Sequence, residues 1–179
     1  MNIYISGGCK NGKSHFAQEV AQKMAREKNL PLYYLATMIP TDEEDKRRIK
    51  RHILEREGWG FETVEQGTDI CKALEAEGVN PKGVFLIDSV TALLQNEMFP
   101  IGEEFNLDAV EKVSADLVEF AKRNGNVVFV SDYIFSDARH FDDISETYLK
   151  GLATCGKALA KVCDEVWEVA YGNVIKYKG

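Results

Sequence analysis

The sequence predicts an α/β fold in which helices cover both faces of a mainly parallel sheet and an antiparallel hairpin closes the C-terminus. Short continuous apolar runs alternate with longer segments of helical periodicity. This alternation is typical of strands that are buried on both faces and joined by crossover helices. The 179 residues suit one domain with a full core, and no repeat, low-complexity tract or linker divides them. We therefore expect a single domain over residues 1–179.

The predicted strands are short and rich in β-branched and aromatic residues. They cover residues 2–6, 32–36, 61–66, 84–88, 127–131, 165–170 and 174–177. The tight-turn pair Gly172-Asn173 separates the last two strands, so we expect them to form the hairpin. Trp167 and Tyr171 alternate with apolar neighbours, which indicates positions in the core or in an interface.

The predicted helices follow the strands in turn, at residues 15–28, 41–57, 68–77, 107–123 and 142–162. The second is strongly charged, with Thr41 or Asp42 as its cap and acids in its first turn. The fourth is amphipathic, and its spacing predicts a buried side that includes Leu107, Val113 and Leu117.

The composition excludes several classes of protein. Apolar residues make up 45% of the chain and charged residues 28%, which is ordinary for a globular protein, and the formal net charge is −7. That charge argues against general binding of nucleic acid or of an anionic membrane. No apolar run approaches the roughly 18 residues that span a bilayer. The four cysteines are scattered without metal-ligand spacing, so we expect reduced thiols in a cytoplasmic protein.

A phosphate-binding motif, G-x-x-x-x-G-K-[S/T], lies between the first strand and the first helix. Its residues are Gly7, Gly8, Cys9, Lys10, Asn11, Gly12, Lys13 and Ser14. The glycines let backbone N–H groups point into one concavity, and the helix N-terminus adds partial positive charge. The lysine is expected to reach the β- and γ-phosphates and the serine hydroxyl to bind Mg²⁺. The predicted fold is therefore P-loop NTPase-like, with GTP or ATP as the bound nucleotide.

An acid, Asp88, closes the buried strand 84–88. In an open α/β sheet, ligands lie at the carboxyl ends of the strands, where an acid can hold Mg²⁺ opposite the Ser14 hydroxyl. The alternative is that Asp88 only caps the helix that begins at Ser89. We expect Ser14 and Asp88 to form the metal site.

A basic stretch in the second helix places Arg48, His52 and Arg56 four residues apart, and therefore along one helix face. Only Ile49, Ile53 and Leu54 offer apolar anchorage there, which predicts a lightly held helix. A solvated surface helix with ion pairs is the plain interpretation. The alternative is catalytic, because a neutral histidine beside a bound triphosphate can act as a nucleophile.

The motifs together resemble the bifunctional adenosylcobinamide kinase / adenosylcobinamide-phosphate guanylyltransferase family of cobalamin biosynthesis. That family pairs a G-G-x-x-x-G-K-S loop with a Y-I-A-T strand and then an R-I-x-x-H-R-x-x-R-P-x-x-W-x-T-x-E segment. The matching residues here are Gly7-Gly8, Gly12-Lys13-Ser14, Tyr34-Leu35-Ala36-Thr37, Arg48-Ile49, His52, Arg56, Trp59, Thr63 and Glu65. The likeness runs the whole length of the chain.

The resemblance implies a mechanism. His52 would attack the α-phosphate of GTP, release pyrophosphate and pass the GMP to adenosylcobinamide phosphate, while the same P-loop would serve phosphorylation of adenosylcobinamide. Arg56 would neighbour the guanylyl phosphate and Glu65 would contact the nucleotide. The other nucleotide contacts implied outside the loop are Ala36, Thr37, Ile53 and Asp88. The expected partners are a nucleoside triphosphate, a corrinoid and further copies of the chain, with a trimer as the implied assembly.

The sequence also departs from the family pattern. Ile53 follows His52 where the family has a basic residue, and the proline after Arg56 is missing. The family's N-E-V-G-x-G-I-V-P loop is replaced by residues 131–138, which contain neither glycine nor proline. We expect this loop to shape the acceptor side of the site. Two alternatives stay open: a small-molecule kinase without guanylyltransferase activity, and a nucleotide-binding regulator without turnover.

Overall fold

The computed structural model describes residues 1–102, 104–134 and 141–179. Over these residues the strands are β1 (Ile3–Gly7), β2 (Leu32–Ala36), β3 (Glu62–Glu65), β4 (Val84–Asp88), β5 (Val127–Asp132), β6 (Glu165–Ala170) and β7 (Asn173–Lys178). The α-helices are α1 (Lys13–Lys28), α2 (Glu43–Glu55), α3 (Val90–Met98), α4 (Ala109–Asn124) and α5 (Asp143–Val162). The predicted alternation of strands and helices is confirmed.

All seven strands form one sheet, in the order β3-β2-β4-β5-β1-β6-β7. The pairings are parallel except for β6 with β7, which are antiparallel. The parallel strands therefore end at one edge of the sheet, where the polar residues that follow them are brought together.

The core has two layers, one on each face of the sheet. On one face, α1 buries Ala17, Ala21 and Met24 against side chains of the central strands. On the other face, α3, α4 and α5 pack against the alternate side chains of the same strands, among them Phe85 and Phe129. Because both faces are covered, β4 and β5 are apolar almost throughout. The predicted covering of both faces is confirmed.

Helix α2 belongs to neither core. No side chain between Glu43 and Leu54 is buried, and two of the three residues expected to anchor the helix, Ile53 and Leu54, are 50% and 60% exposed. Its N-terminus is fixed by Asp42, whose side chain accepts a hydrogen bond from the backbone N–H of Asp45. The helix is therefore held at its ends rather than along an apolar stripe.

Three local expectations were wrong. Leu107 lies outside α4, which begins at Ala109, and so it is 62% exposed rather than part of the apolar stripe. The hairpin turns at Tyr171-Gly172, one residue before the predicted pair, because these two residues carry the positive φ values of 51° and 76°. Tyr171 is consequently 99% exposed and does not lie in the core, while a position in an interface stays a prediction. The segment predicted as a helix at 68–77 forms only a short 3₁₀ helix, Ile70–Glu75.

The four cysteines all lie in the described part of the chain and are free thiols. Among the described residues, none of the helices has the length and apolar character needed to cross a bilayer.

Candidate functional site

The loop between β1 and α1 has the geometry that a phosphate-binding loop needs. A Cβ on Gly7 would lie 2.5 Å from the backbone oxygen of Val169 in β6, so only glycine fits this crossing. Gly12 has a φ of +89°, a left-handed conformation that side chains rarely adopt. Asn11 donates a hydrogen bond from its side chain to the same Val169 oxygen, which ties the loop to the sheet. Cys9 and Lys10 are exposed at the tip of the loop.

The N-terminus of α1 is left open to a ligand. No side chain caps it, and no acid lies in its first turn. By contrast, α2, α3 and α5 are capped by the side chains of Asp42, Ser89 and Asp142. An uncapped helix N-terminus that follows a glycine loop presents free N–H groups and partial positive charge to an anion.

Lys13 is held between two protein oxygens. Its ammonium lies 2.5 Å from Oδ1 of Asp132 and donates a hydrogen bond to the carbonyl of Gly8 at 3.2 Å. The lysine is only 8% exposed, while the side chain of Asp132 is 24% exposed. Asp132 ends β5, directly beside Gly7 in the parallel register of β1. The P-loop lysine therefore has a carboxylate partner at the place where it is expected to meet phosphate.

Asp88 joins the P-loop to β2. It accepts hydrogen bonds from the Ser14 hydroxyl and from the Tyr34 hydroxyl, the latter at 3.2 Å. Desolvation raises the pKa of Asp88, while these hydrogen bonds and the charges of His52 and Lys13 act in the opposite direction. Ser89, not Asp88, caps α3, because its side chain accepts from the N–H of Ala92. The alternative that Asp88 is only a helix cap was therefore wrong.

The residues at Asp88 fit a magnesium ion. The carboxylate of Asp88 and the hydroxyl of Ser14 are neighbouring hard oxygen donors, the kind of ligand that Mg²⁺ prefers. The raised pKa of Asp88 reflects a carboxylate removed from water with mainly neutral hydroxyl partners. A bound cation would compensate that charge.

The three basic residues of α2 lie in different environments. Arg48 is exposed and His52 half-buried, whereas Arg56, the C-cap of the helix, is 7% exposed. The guanidinium of Arg56 stacks on the ring of Tyr34 at 3.5 Å, a cation–π contact. The hydroxyl of Tyr34 in turn donates to Asp88. The end of α2 thus reaches the Asp88 side of the P-loop.

An open cavity of about 590 Å³ lies between the C-terminal end of α2 and β3. Its lining includes Ile53, Arg56, Phe61 and Thr63. Two residues expected to bind nucleotide, Ile53 and Arg56, therefore share one cavity.

The remaining predicted contacts lie along the strand ends. Glu65, Ala36 and Asp88 form one row across β3, β2 and β4, with Glu65 exposed at the sheet edge. Thr37 is fully buried; its hydroxyl bonds the backbone of Ser89, and its carbonyl accepts from Asn96. A structural role accounts for Thr37, and its role as a nucleotide contact stays a prediction.

Sequence reasoning missed Asp132 as a site residue and gave Tyr34 only as part of a strand motif. Tyr34 connects Arg56 to Asp88, because its ring stacks against the Arg56 guanidinium and its hydroxyl donates a hydrogen bond to the Asp88 carboxylate. For Asp132 the pattern was available, since it follows an apolar strand as Asp88 does. What was not available was the sheet order, which places β5 beside β1. The segment 135–140 of the predicted acceptor loop lies outside the described residues.

A second acidic cluster lies away from the P-loop and already holds a cation. Lys112 places its ammonium 2.8 Å from Asp69, 2.6 Å from Glu97 and 3.2 Å from Asp116. Hydrogen bonds from Lys112 and Lys72 lower the pKa of Asp69 to about 2. Through Lys112, these acids link the start of the 3₁₀ helix to α3 and α4.

Two curated relatives match the chain over nearly its whole length. The chain is 29% identical over 196 residues to the bifunctional adenosylcobalamin biosynthesis protein CobU of Escherichia coli (strain K12), covering 99% of this chain and 100% of that protein. It is 25% identical over 179 residues to the bifunctional adenosylcobalamin biosynthesis protein CobP of Pseudomonas aeruginosa, covering 100% and 98%.

Among solved structures, the ATPase domain of G40P superimposes with a TM-score of 0.52 at 14% identity, covering 93% of this chain and 68% of that one. This likeness concerns the fold alone. The profile of the family described as "Cobinamide kinase / cobinamide phosphate guanyltransferase" matches residues 3–177. Because this match covers nearly the whole chain, the chain belongs to the cobinamide kinase / cobinamide phosphate guanyltransferase family.

Proposed function

We propose that this chain phosphorylates adenosylcobinamide and then transfers GMP from GTP to the resulting phosphate through a guanylylated His52. Membership of the family supports both reactions. The uncapped α1 N-terminus and the buried Lys13 support the binding of a triphosphate. Family relatives named as bifunctional cover this chain almost completely.

The proposal includes Mg²⁺ held by Ser14 and Asp88. When bound, the ion neutralises part of the triphosphate charge. The chain itself supplies the remaining positive groups. Lys13 pairs with the β- and γ-phosphates, and Arg56, fixed on Tyr34, lies beside the α-phosphate.

The guanylyl transfer follows from the chemistry of an imidazole beside a bound triphosphate. A neutral ring nitrogen of His52 attacks the α-phosphorus of GTP and forms an N–P bond. The bond from that phosphorus to the bridging oxygen breaks, and pyrophosphate leaves with the electron pair. A phosphate oxygen of adenosylcobinamide phosphate then attacks the same phosphorus, which releases the histidine.

The observation that carries the proposal is the contact of Arg56, at the C-terminal end of α2, with Tyr34, whose hydroxyl donates to Asp88. His52 lies one helical turn before Arg56 on the same face of α2, and therefore on the side that faces the proposed Mg²⁺ position. Because α2 has no buried side chain between Glu43 and Leu54, little packing opposes a further approach of His52 to the α-phosphate. A cytoplasmic location and a trimeric assembly complete the proposal, and sedimentation tests the latter.

Labelled GTP tests the covalent step. After incubation with Mg²⁺ and GTP labelled at the α-phosphate, the denatured protein is expected to retain label. A phosphoramidate is labile in acid and stable in base, which distinguishes it from a serine ester. The His52→Ala variant should still bind GTP but carry no label.

His15→Ala is the matched control, because His15 is an exposed histidine with a side chain 67% exposed. It should label like the parent protein. Label that persists in His52→Ala assigns the nucleophile elsewhere. If the parent protein takes up no α-label but moves γ-label to a corrinoid, the chain is a kinase alone. If it binds GTP and transfers neither label, it is a nucleotide-binding regulator without turnover.

A further inference from the structure

The carboxylate of Asp132 has no role in the guanylyl transfer described above, yet it lies at the centre of the site. Its Oδ1 is 2.5 Å from the Lys13 ammonium. Its backbone N–H donates to the Thr91 hydroxyl at 2.9 Å, and the next residue, Tyr133, donates its N–H to the Gly7 carbonyl at 2.8 Å. The carboxylate is therefore held beside the P-loop by the backbone on both sides of it.

We propose that Asp132 is the general base of the kinase reaction. Lys13 holds the carboxylate of Asp132 in place until a triphosphate binds. The inference rests on the proposed kinase function. When nucleotide binds, the ammonium of Lys13 turns to the β- and γ-phosphates. Asp132 then loses its cation and faces the phosphoryl group that is to be transferred.

Distance supports this assignment. The ammonium of Lys13 contacts Asp132 and is expected to contact the γ-phosphate when nucleotide binds, so both groups lie within reach of one lysine side chain. A hydroxyl that attacks the γ-phosphorus fits between them, within hydrogen-bonding reach of the carboxylate. Asp132 retains 24% of its side-chain exposure, so an acceptor can approach it from solvent.

The other acids at this edge of the sheet are less suited to the role. Asp88 already accepts hydrogen bonds from Ser14 and Tyr34, and it ends β4, which β5 separates from β1. Glu65 ends the edge strand β3, three strands further from β1 than β5. Of the described strand-end carboxylates, Asp132 is the one on a neighbour of the P-loop strand.

The step balances as follows. Asp132 takes the proton of the acceptor hydroxyl of adenosylcobinamide while that oxygen forms a bond to the γ-phosphorus. The bond between the γ-phosphorus and the bridging oxygen breaks, and the nucleoside diphosphate leaves with the electron pair. The protonated carboxyl returns its proton to solvent, and Lys13 pairs with the carboxylate again. Asp132 takes no part in attack at the α-phosphorus.

Asp132→Asn separates the two reactions because the amide keeps the shape of the side chain but is not a base. Phosphorylation of adenosylcobinamide, followed with GTP and with ATP labelled at the γ-phosphate, should fall about 10²- to 10⁴-fold in kcat. Labelling of the protein by α-labelled GTP should stay within about threefold of the parent, which also shows that the variant is folded. The affinity for the triphosphate should be equal or higher, because a negative charge beside the phosphates is removed.

Asp143→Asn is the matched control, since Asp143 is an exposed acid in the first turn of α5. It should change neither reaction. Kinase turnover within threefold of the parent in Asp132→Asn overturns the assignment while leaving the proposed function intact. Equal loss of both labels indicates that Asp132 only positions Lys13, and it also overturns the assignment. A parent protein that transfers neither label overturns the proposed function itself.

Discussion

Replacing Lys13 with alanine tests the P-loop and its carboxylate partner together. The ammonium contacts Asp132 at 2.5 Å and the Gly8 carbonyl at 3.2 Å. Nucleotide binding therefore exchanges these contacts for contacts to phosphate rather than adding new ones. The net loss in Lys13→Ala should correspond to about one hydrogen bond between charged groups, about 1.5–3 kcal/mol. This predicts an affinity for Mg·GTP that is roughly 10- to 150-fold weaker.

The same substitution should also lower the stability of the nucleotide-free protein. Without Lys13, Asp132 is left as a partly buried carboxylate without its cation, which costs about 1–3 kcal/mol. Titration calorimetry measures the affinity, and urea denaturation measures the free energy of unfolding. Lys23→Ala is the control, because Lys23 lies on the same helix with a side chain 77% exposed. It should alter neither quantity appreciably.

An affinity in Lys13→Ala within about twofold of the parent would refute the P-loop assignment. Lost affinity with unchanged stability would mean that the Lys13–Asp132 pair contributes nothing in the nucleotide-free protein. The double variant Lys13→Ala/Asp132→Asn tests whether the lost stability comes from the unpaired Asp132 charge. It should recover part of the lost stability, since the unpaired charge is gone, and only that part of the lost affinity which comes from repulsion between Asp132 and the phosphates.

The remaining predictions concern three other sites. Asp88→Asn should weaken binding of Mg·GTP more than that of metal-free GTP, measured by calorimetry with and without EDTA. Because burial raises the pKa of Asp88, its ionisation at neutral pH lowers the free energy of unfolding, so the variant should be at least as stable as the parent there. Gly7→Ala should destabilise the fold by about 1–3 kcal/mol in urea, since its Cβ would lie 2.5 Å from a backbone oxygen of β6, whereas Gly8→Ala, with 3.8 Å of room, should not. For Lys112→Met, the lowered pKa of Asp69 means that its stabilisation is present above about pH 4 and is lost as the pH falls toward about 2. Thermal unfolding from pH 7 to 2 should therefore show a smaller acid-induced loss in this variant than in the parent.

The sequence predicted most of the elements to within two residues, because their patterns are local. β2 and β4 begin and end where the apolar runs do. Asp142, at which the last helix was predicted to start, is the residue that caps α5. Errors arose where tertiary packing decides the outcome. The helical periodicity extended to Leu107, but the helix starts after it, and the tight-turn pair was placed one residue late.

The P-loop was determined by the sequence alone, since its function depends on glycine, lysine and serine at fixed spacing after a strand. The place of Asp88 beside the P-loop was likewise predicted, from its position at a strand end, and its role as a magnesium ligand stays a prediction. The family segment around His52 is also a local pattern, so its residues were predicted without knowing where α2 packs.

The tertiary structure alone decided which strand ends are neighbours. Sheet order depends on how crossover helices pack on the two faces, not on spacing along the chain. It places β5 beside β1, so that Asp132 meets Lys13 although 119 residues separate them in the numbering. It also buries Arg56 on Tyr34, a contact between a charged helix end and a strand that no periodicity indicates. These long-range pairings join the separate motifs into one site, because charges at the carboxyl edge of a parallel sheet act on one another through little intervening water.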